Sequence, residues 1–219
     1  MIKSVVASRS GNGEASVNIG VFGGTFDPIH NGHLIVAEEV RNRLGLVEVL
    51  FVPTGQPWMR TDSISEAKHR VGMVRLAISG KPYFKISTIE VERAGPTYTV
   101  DTIRELKSQR DEGDELYFIL SWDTLSSFPR WKDPSRLLEL CHLVAVPRPG
   151  YKLPDMKKLE AELPGLSRRL FLLDKPEIDV SATEIKKRVA AGLSIGHLVP
   201  ESVEKYIKMH NLYKNGGSL

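Results

Sequence analysis

The chain has 219 residues, of which 41% are hydrophobic and 26% charged, the balance of an ordinary globular protein with one sizeable core. Its 30 basic and 27 acidic residues leave a net charge of +3, which is too small to indicate nucleic acid as a partner but is compatible with small anionic substrates. The sequence contains no apolar run of membrane-spanning length, so we expect no membrane partner. The single cysteine excludes an intramolecular disulfide and predicts a reducing, cytoplasmic setting.

Short apolar runs alternate along the chain with segments whose apolar residues recur at helical spacing. The apolar runs predict strands at 19–22, 47–52, 83–86, 116–120, 143–146 and 170–173. The helical patterns predict helices at 34–44, 65–78, 99–107, 134–140, 181–191 and 200–210. This alternation predicts an α/β fold, a Rossmann-like, mostly parallel sheet with helices on both faces. Ligands of such sheets bind beyond the carboxyl ends of the strands.

The two ends of the chain differ in composition from the rest. Residues 8–16 are small and polar, and the apolar stretch at 5–7 is too short for the core of a signal peptide. We therefore predict a flexible N-terminal tail at 1–16, one domain at 17–213 and a frayed C-terminus at 214–219.

The segment from Ile19 to His33 joins a predicted strand to a predicted helix through a glycine-rich loop. Gly23 and Gly24 have no Cβ, so the backbone there can approach an anion closely. The first turn of the helix offers unpaired N–H groups and the positive end of the helix dipole. His30 and His33 lie at the same end and can donate hydrogen bonds to phosphate oxygens. The segment therefore predicts a phosphate site.

Two other interpretations of this histidine pair are open. A structural zinc site needs four ligands, and beyond Cys141 and the adjacent His142 the sequence shows no further ligand cluster, so we expect no metal site. The second interpretation is two ordinary histidines near a helix start, one of them a capping partner. The glycines and the strand-to-helix context favour nucleotide binding over both. Cys141 lies in an apolar stretch and is interpreted as a core thiol.

The eleven residues from Gly23 to His33, Gly-Gly-Thr-Phe-Asp-Pro-Ile-His-Asn-Gly-His, resemble the His-x-Gly-His signature of the nucleotidyltransferase superfamily. In this longer form they resemble the bacterial nicotinate-mononucleotide adenylyltransferase family, and the likeness extends over about residues 17–213. The resemblance implies adenylyl transfer from ATP to nicotinate mononucleotide, giving deamido-NAD and pyrophosphate, with magnesium accompanying the ATP. It also implies catalysis by His30 and His33, and ATP binding by Gly23, Gly24, Thr25 and Phe26.

Further segments match the family's motifs, and the resemblance implies their roles. For ATP these are Asp123 after a strand, Ser181, Thr183 and Lys186 around a helix start, and Arg60. For the mononucleotide they are Thr54, Thr99, Arg148 and Trp131, whose flat ring suits a pyridine. From the residues alone, Thr99 is also interpretable as a plain helix cap, and Trp131 as a surface-packed tryptophan.

Several positions depart from the family's pattern. Lys186 stands where the family has arginine, which keeps the charge but loses the bidentate fork, and Arg188 lies close on the same helix. Ser121 replaces a glycine, and Lys132 replaces an aromatic residue.

Two alternatives to the implied activity are open. One is a related transferase, either an adenylyltransferase acting on pantetheine phosphate or a cytidylyltransferase. The other is a nucleotide-binding regulator without turnover, which the departures at Ser121 and Lys186 would suit. A homo-oligomer is compatible with the sequence.

Overall fold

A six-stranded sheet lies at the centre of the computed structural model, which describes residues 16–57 and 64–214. The strands are β1 (Asn18–Gly24), β2 (Glu48–Pro53), β3 (Gln56–Pro57), β4 (Phe84–Ile86), β5 (Pro96–Thr97), β6 (Glu115–Ser121), β7 (His142–Val146) and β8 (Leu170–Leu172). The central sheet has the order β4-β2-β1-β6-β7-β8 with parallel pairings, and β3 pairs with β5 in a small second sheet. The six predicted strands are all present, and the predicted α/β class is confirmed.

The helices cover both faces of this sheet. They are α1 (Asn31–Leu44), α2 (Ala67–Ile78), α3 (Ile89–Glu92), α4 (Thr99–Ser108), α5 (Trp122–Ser127), α6 (Pro134–Leu140), α7 (Met156–Glu162), α8 (Leu166–Arg169), α9 (Ala182–Ala190) and α10 (Glu201–Met209). Buried side chains of α1, α2, α9 and α10 belong to one apolar cluster, and those of α4 to α8 to another. Along β2, Val49 and Phe51 join the first cluster while Leu50 and Val52 join the second. Because both faces are covered, the strands read as continuous apolar runs.

The ends of several helices carry the residues that local chemistry favours there. The Ser181 hydroxyl accepts a hydrogen bond from the Glu184 N–H at 3.2 Å, as an N-cap does. Gly45 follows α1 with a left-handed φ of 61° that favours glycine. Pro134 occupies the first turn of α6, where its missing N–H costs nothing. These helix boundaries are therefore encoded locally.

The elements that the sequence analysis did not predict are short. They are α3, α5, α7, α8, β3 and β5, none of them longer than 7 residues, and such segments are too short to show a hydrophobic period. The helix α5 matters most, because it begins at Trp122 directly after β6. It places Asp123 in the first turn of a helix rather than in a loop.

The strand order reverses between β1 and β6. The chain runs from β1 through α1 to β2 on one side, while β6 pairs with the other side of β1. At such a reversal the connections diverge and leave a crevice beyond the carboxyl ends of the strands. Since β1 ends at Gly24 and β6 at Ser121, the glycine-rich loop begins at this crevice.

Other sequence-based expectations concern the termini, the membrane and the cysteine. The predicted tail 1–16 and terminus 214–219 lie outside the described residues except for Ser16 and Lys214. Within residues 16–57 and 64–214, the helices are too short or too polar to cross a membrane. Cys141 is fully buried, as predicted, and burial raises the pKa of its thiol to about 12.

Candidate active site

A cavity of about 330 Å³ opens at the carboxyl ends of β1, β6 and β7, a size suited to a small-molecule site. Predicted site residues from four separate parts of the chain line it: Gly23, Gly24, Thr25, Phe26, His30, His33, Trp131, Arg148, Ser181 and Thr183. The fold therefore brings the glycine-rich loop, the tryptophan segment, the residues after β7 and the start of α9 to one place.

The glycines at the end of β1 lie against aromatic rings. A Cβ on Gly24 would come within 3.0 Å of the Phe26 ring, and one on Gly23 within 3.2 Å of Phe118. Phe26 itself has a left-handed φ of 49°, unusual for a bulky residue. Its ring is only 2% exposed and lies edge-on to Phe22, with centroids 5.8 Å apart. Packing of the Phe26 ring therefore holds the loop in place. The backbone of the loop is then free to bind a ligand.

His30 and His33 stack on each other at the start of α1. Their ring centroids are 3.7 Å apart with an angle of 24° between the planes. The His30 backbone N–H donates to Nδ1 of His33 at 3.3 Å. That nitrogen is therefore unprotonated, and the neutral His33 ring carries its hydrogen on Nε2. His33 is thus set to donate one hydrogen bond through Nε2.

Gly32, which the sequence analysis did not single out, makes room for this pair. A Cβ on Gly32 would lie 3.0 Å from Nδ1 of His30. His30 is 7% exposed, and its Nδ1 is buried without a hydrogen-bond partner among the described residues. The missing Cβ of Gly32 therefore allows the His30 ring to pack closely against the start of α1.

Both histidines are neutral at pH 7 in this structure. Burial lowers the pKa of His30 to about 4, and the positive charge of Arg148 adds to the effect. Burial likewise holds the pKa of His33 well below its usual range, followed by the influence of His30 and Arg148. A polyphosphate in the cavity would act in the opposite direction, because negative charge favours the protonated imidazole.

Arg148 and Asp123, predicted to bind different substrates, form an ion pair. The Arg148 Nη1 donates to Oδ2 of Asp123 at 2.7 Å. Arg148 lines the cavity, and Asp123 is not among the lining residues. The other carboxylate oxygen of Asp123 is buried without a partner among the described residues. Asp123 therefore orients Arg148 and retains one oxygen that could accept a hydrogen bond.

Trp131 also lines the cavity. It follows the 3₁₀ turn Phe128–Arg130 and lies edge-on to Phe118, with ring centroids 6.0 Å apart. The neighbouring Lys132, which replaces a family aromatic residue, donates to Asp101 of α4 at 2.8 Å and lies over the ring of Tyr98. The lysine at position 132 therefore contacts α4 and the residue that precedes it.

Lys186, predicted to contact ATP, forms an ion pair with Asp27. Asp27 is 3% exposed and also accepts from the Tyr213 hydroxyl at 2.6 Å and from the Ser65 N–H at 3.1 Å. Burial acts to raise the pKa of Asp27, but the hydrogen bonds from these three groups outweigh it and hold the pKa below its usual range. Arg188 donates to the Ser194 carbonyl after α9 instead.

Lys186, Thr54 and Thr99 are not among the residues that line the cavity. Thr54 follows β2, and its N–H donates to the Gly24 carbonyl at 2.9 Å. Thr99 is the first residue of α4, and Arg60 lies outside the described residues. Their ligand contacts stay predictions. The lining residues that sequence reasoning missed include Asp27 and the apolar Ile178 and Val180, of which only Asp27 had a signal, its place within the eleven-residue motif.

Comparisons with known proteins agree with this arrangement. The family model described as Cytidylyltransferase-like matches residues 21–188. A curated relative from Dehalococcoides mccartyi, named "Probable nicotinate-nucleotide adenylyltransferase", is 54% identical over 199 residues, covering 90% of this chain and 98% of the relative. A relative of the same name from Clavibacter michiganensis subsp. michiganensis is 43% identical over 199 residues, covering 91% and 95%.

The fold also matches solved structures. The structure of Plasmodium falciparum nicotinic acid mononucleotide adenylyltransferase complexed with NaAD superimposes with a TM-score of 0.73. The match covers 90% of this chain and 97% of that one, at 22% sequence identity. At this identity the likeness shows the shared fold.

Proposed function

Since the chain belongs to the cytidylyltransferase-like family and, within it, to the nicotinate-nucleotide adenylyltransferases, we propose that it transfers the adenylyl group of ATP to nicotinate mononucleotide. The products are nicotinate adenine dinucleotide, which is deamido-NAD, and pyrophosphate, and the reaction is a step of NAD biosynthesis. One observation carries the proposal. A single cavity joins a loop suited to phosphate, with His30 and His33, to a wall with a flat aromatic ring and a cation, Trp131 and Arg148.

The reaction needs no general base from the protein. A phosphate oxygen of the mononucleotide, already anionic at pH 7, attacks the α-phosphorus of ATP. A new P–O–P linkage forms as the bond between the α-phosphorus and the oxygen that bridges to the β-phosphate breaks, and pyrophosphate leaves with that electron pair. The barrier is the meeting of two anions, so catalysis consists of positioning and of neutralising charge.

The residues of the cavity divide this work by their chemistry. His33 donates from Nε2 to the phosphate oxygens where charge gathers in the transition state, since its Nδ1 is occupied by the His30 N–H. Arg148, held by Asp123, offers a positive charge to the phosphate of the mononucleotide. Trp131 offers a face for the pyridine ring. These roles rest on the positions of the side chains around the cavity.

We propose that magnesium enters with ATP as part of the substrate. Among the described residues, acidic and other ligating side chains do not gather into a group of three that could hold an ion. The carboxylate that lines the cavity, Asp27, and that of Asp123, which pairs with the lining Arg148, already have cationic partners. Mg²⁺ commonly keeps several waters and binds through substrate phosphates, and there it would neutralise the pyrophosphate oxygens.

The proposal is tested by pyrophosphate release from ATP, magnesium and nicotinate mononucleotide at steady state. We expect turnover, with nicotinamide mononucleotide as the comparison substrate to measure the preference for the carboxylate. Pantetheine phosphate and CTP serve as controls for the related transferases. Binding of both substrates without pyrophosphate release would indicate the regulator and overturn the proposal.

We further propose a cytoplasmic location. The only cysteine of the sequence, Cys141, is a free, buried thiol, which suits a reducing compartment. Fractionation of the source cells with antibody detection tests this, and recovery outside the cytoplasmic fraction would contradict it.

A further inference from the structure

Arg70 of α2 is a buried cation. Arg70 is 1% exposed, and its side chain is the bulkiest of those that are fully buried among the described residues. Within residues 16–57 and 64–214, its guanidinium has no carboxylate within ion-pair distance. Burial lowers the pKa of Arg70, and the nearby charge of Asp27 acts in the opposite direction. Burying a charge without an ionic partner costs free energy, so such a residue commonly has a specific structural or functional role.

The Arg70 guanidinium donates to backbone carbonyls from three separate segments. Its Nη1 donates to the Thr25 carbonyl at 3.0 Å, its Nε to the Ser65 carbonyl at 3.0 Å and its Nη2 to the Gly55 carbonyl at 3.5 Å. A guanidinium can do this because its donors point outward from a rigid planar fork. The side chain therefore joins the glycine-rich loop to the segments on either side of residues 58–63.

The hydrogen bond from Arg70 to the Thr25 carbonyl fixes the direction of the Phe26 N–H group. The Thr25–Phe26 peptide is not among the cis bonds of the chain, and in a trans peptide the C=O and N–H point in opposite directions. Because the Thr25 carbonyl points towards the buried Arg70 guanidinium, the Phe26 N–H points away from that guanidinium. Phe26 lines the cavity, and its φ of 49° marks the backbone there as held in an unusual conformation.

We propose that Arg70 is a positioning residue that holds the Thr25–Phe26 peptide so that the Phe26 N–H faces the polyphosphate of the nucleotide. The inference rests on the proposed function for the identity of that ligand. Arg70 does not touch substrate, and it acts through the loop. The competing explanation is that Arg70 only stabilises the fold by joining three segments.

The first experiment compares Arg70→Lys and Arg70→Met with the wild type. Lysine keeps the charge but cannot donate to three carbonyls in the geometry of a guanidinium, and methionine removes every donor. Arg75→Met is the matched control, because Arg75 is exposed on the same helix. We expect Arg70→Lys to lower kcat about 10- to 100-fold, the scale of losing alignment of one transition-state donor. The KM for nicotinate mononucleotide should stay nearly constant, and Arg75→Met should change neither.

Binding of inorganic triphosphate, measured by calorimetry, separates this role from turnover. We expect Arg70→Lys to weaken triphosphate binding about tenfold, since the loop N–H no longer faces the anion. If the wild type binds triphosphate but releases no pyrophosphate from its substrates, the proposed function fails while the role of Arg70 is still decided by this affinity. Normal triphosphate affinity and normal kcat in Arg70→Lys, with a lower free energy of unfolding, would show that Arg70 is only structural.

An NMR titration of the wild type keeps the inference open to refutation even if the variants do not fold. The Phe26 amide resonance of the ¹⁵N-labelled protein should shift when inorganic triphosphate is added. An unchanged Phe26 amide at saturating triphosphate, or no triphosphate binding by the wild type, would overturn the inference.

Discussion

The Lys186 ammonium donates to the carboxylate of Asp27, although 159 residues separate them along the chain. Asp27 lines the cavity, and its side chain is 2% exposed. The side chain of Lys186 is 32% exposed. The Lys186 cation, in the middle of α9, is therefore anchored to the motif that carries the loop histidines. To contact ATP phosphates, the Lys186 ammonium must divide its hydrogen bonds between Asp27 and the nucleotide.

This pairing leads to a two-part prediction for Lys186→Met. The KM for ATP should rise, because a positive charge near the phosphates is lost. The free energy of unfolding should fall by about 1–3 kcal/mol, because Asp27 loses a charged hydrogen-bond partner. Steady-state kinetics and urea unfolding measure the two effects.

The control for Lys186→Met is Lys187→Met, at the exposed neighbouring position, which should change neither quantity. Lys186→Arg should keep ATP affinity, since a guanidinium can bridge two acceptors. If Lys186→Met lowers stability and leaves the KM for ATP unchanged, Lys186 only supports Asp27.

His33→Ala should lower kcat by about 10²–10³, the usual loss for one donor to developing negative charge. The ring contacts Phe26 and His30, so urea unfolding should accompany the kinetics to confirm that the variant is folded. His210→Ala, at an exposed position after α10, is the control. Near-normal turnover of folded His33→Ala would refute the catalytic role.

Trp131→Ala should raise the KM for nicotinate mononucleotide more than the KM for ATP. Aromatic contacts of this kind contribute about 0.5–1.5 kcal/mol beyond area burial. Trp122→Ala is the matched control, because Trp122 packs on the same apolar cluster without lining the cavity. It should lower stability without a selective effect on either KM. Equal changes in both KM values for Trp131→Ala would instead indicate a packing role.

The stability of the protein should depend on pH through His30. Its pKa of about 4 in the folded protein lies below its ordinary value of 6.5, so between these values the unfolded chain binds a proton that the folded protein does not. The free energy of unfolding should therefore fall as the pH drops from about 6.5 to about 4, by about 1.4 kcal/mol per pH unit for this histidine. Above pH 6.5 this contribution to stability is fully present.

Urea unfolding without nucleotide, at several pH values in this window, measures the slope. His30→Gln should reduce the slope by about one proton. His197→Gln, at an exposed position before α10, is the matched control. An unaltered slope in His30→Gln would show that His30 titrates normally in the folded protein.

Much of the fold was predictable because its signals are local. The strand from Asn18 to Gly24 and the helix that follows it have distinct hydrophobic periods. The cap of α9 needs only Ser181 and a residue three positions later. Short elements such as α5 were missed, because six residues cannot display a helical period. As a result, the helical setting of Asp123 was not predicted.

The sequence by itself determined the order of the six strands of the central sheet and of the longer helices, the glycine-rich loop and the identity of the histidines at its end. Only the tertiary structure decided which charges meet: Lys186 with Asp27, Arg148 with Asp123, and Arg70 with the Thr25 carbonyl. It also decided that both histidines are neutral. The reason is physical: pairing depends on distances between residues far apart in the chain, and a pKa depends on how much water the folded protein excludes.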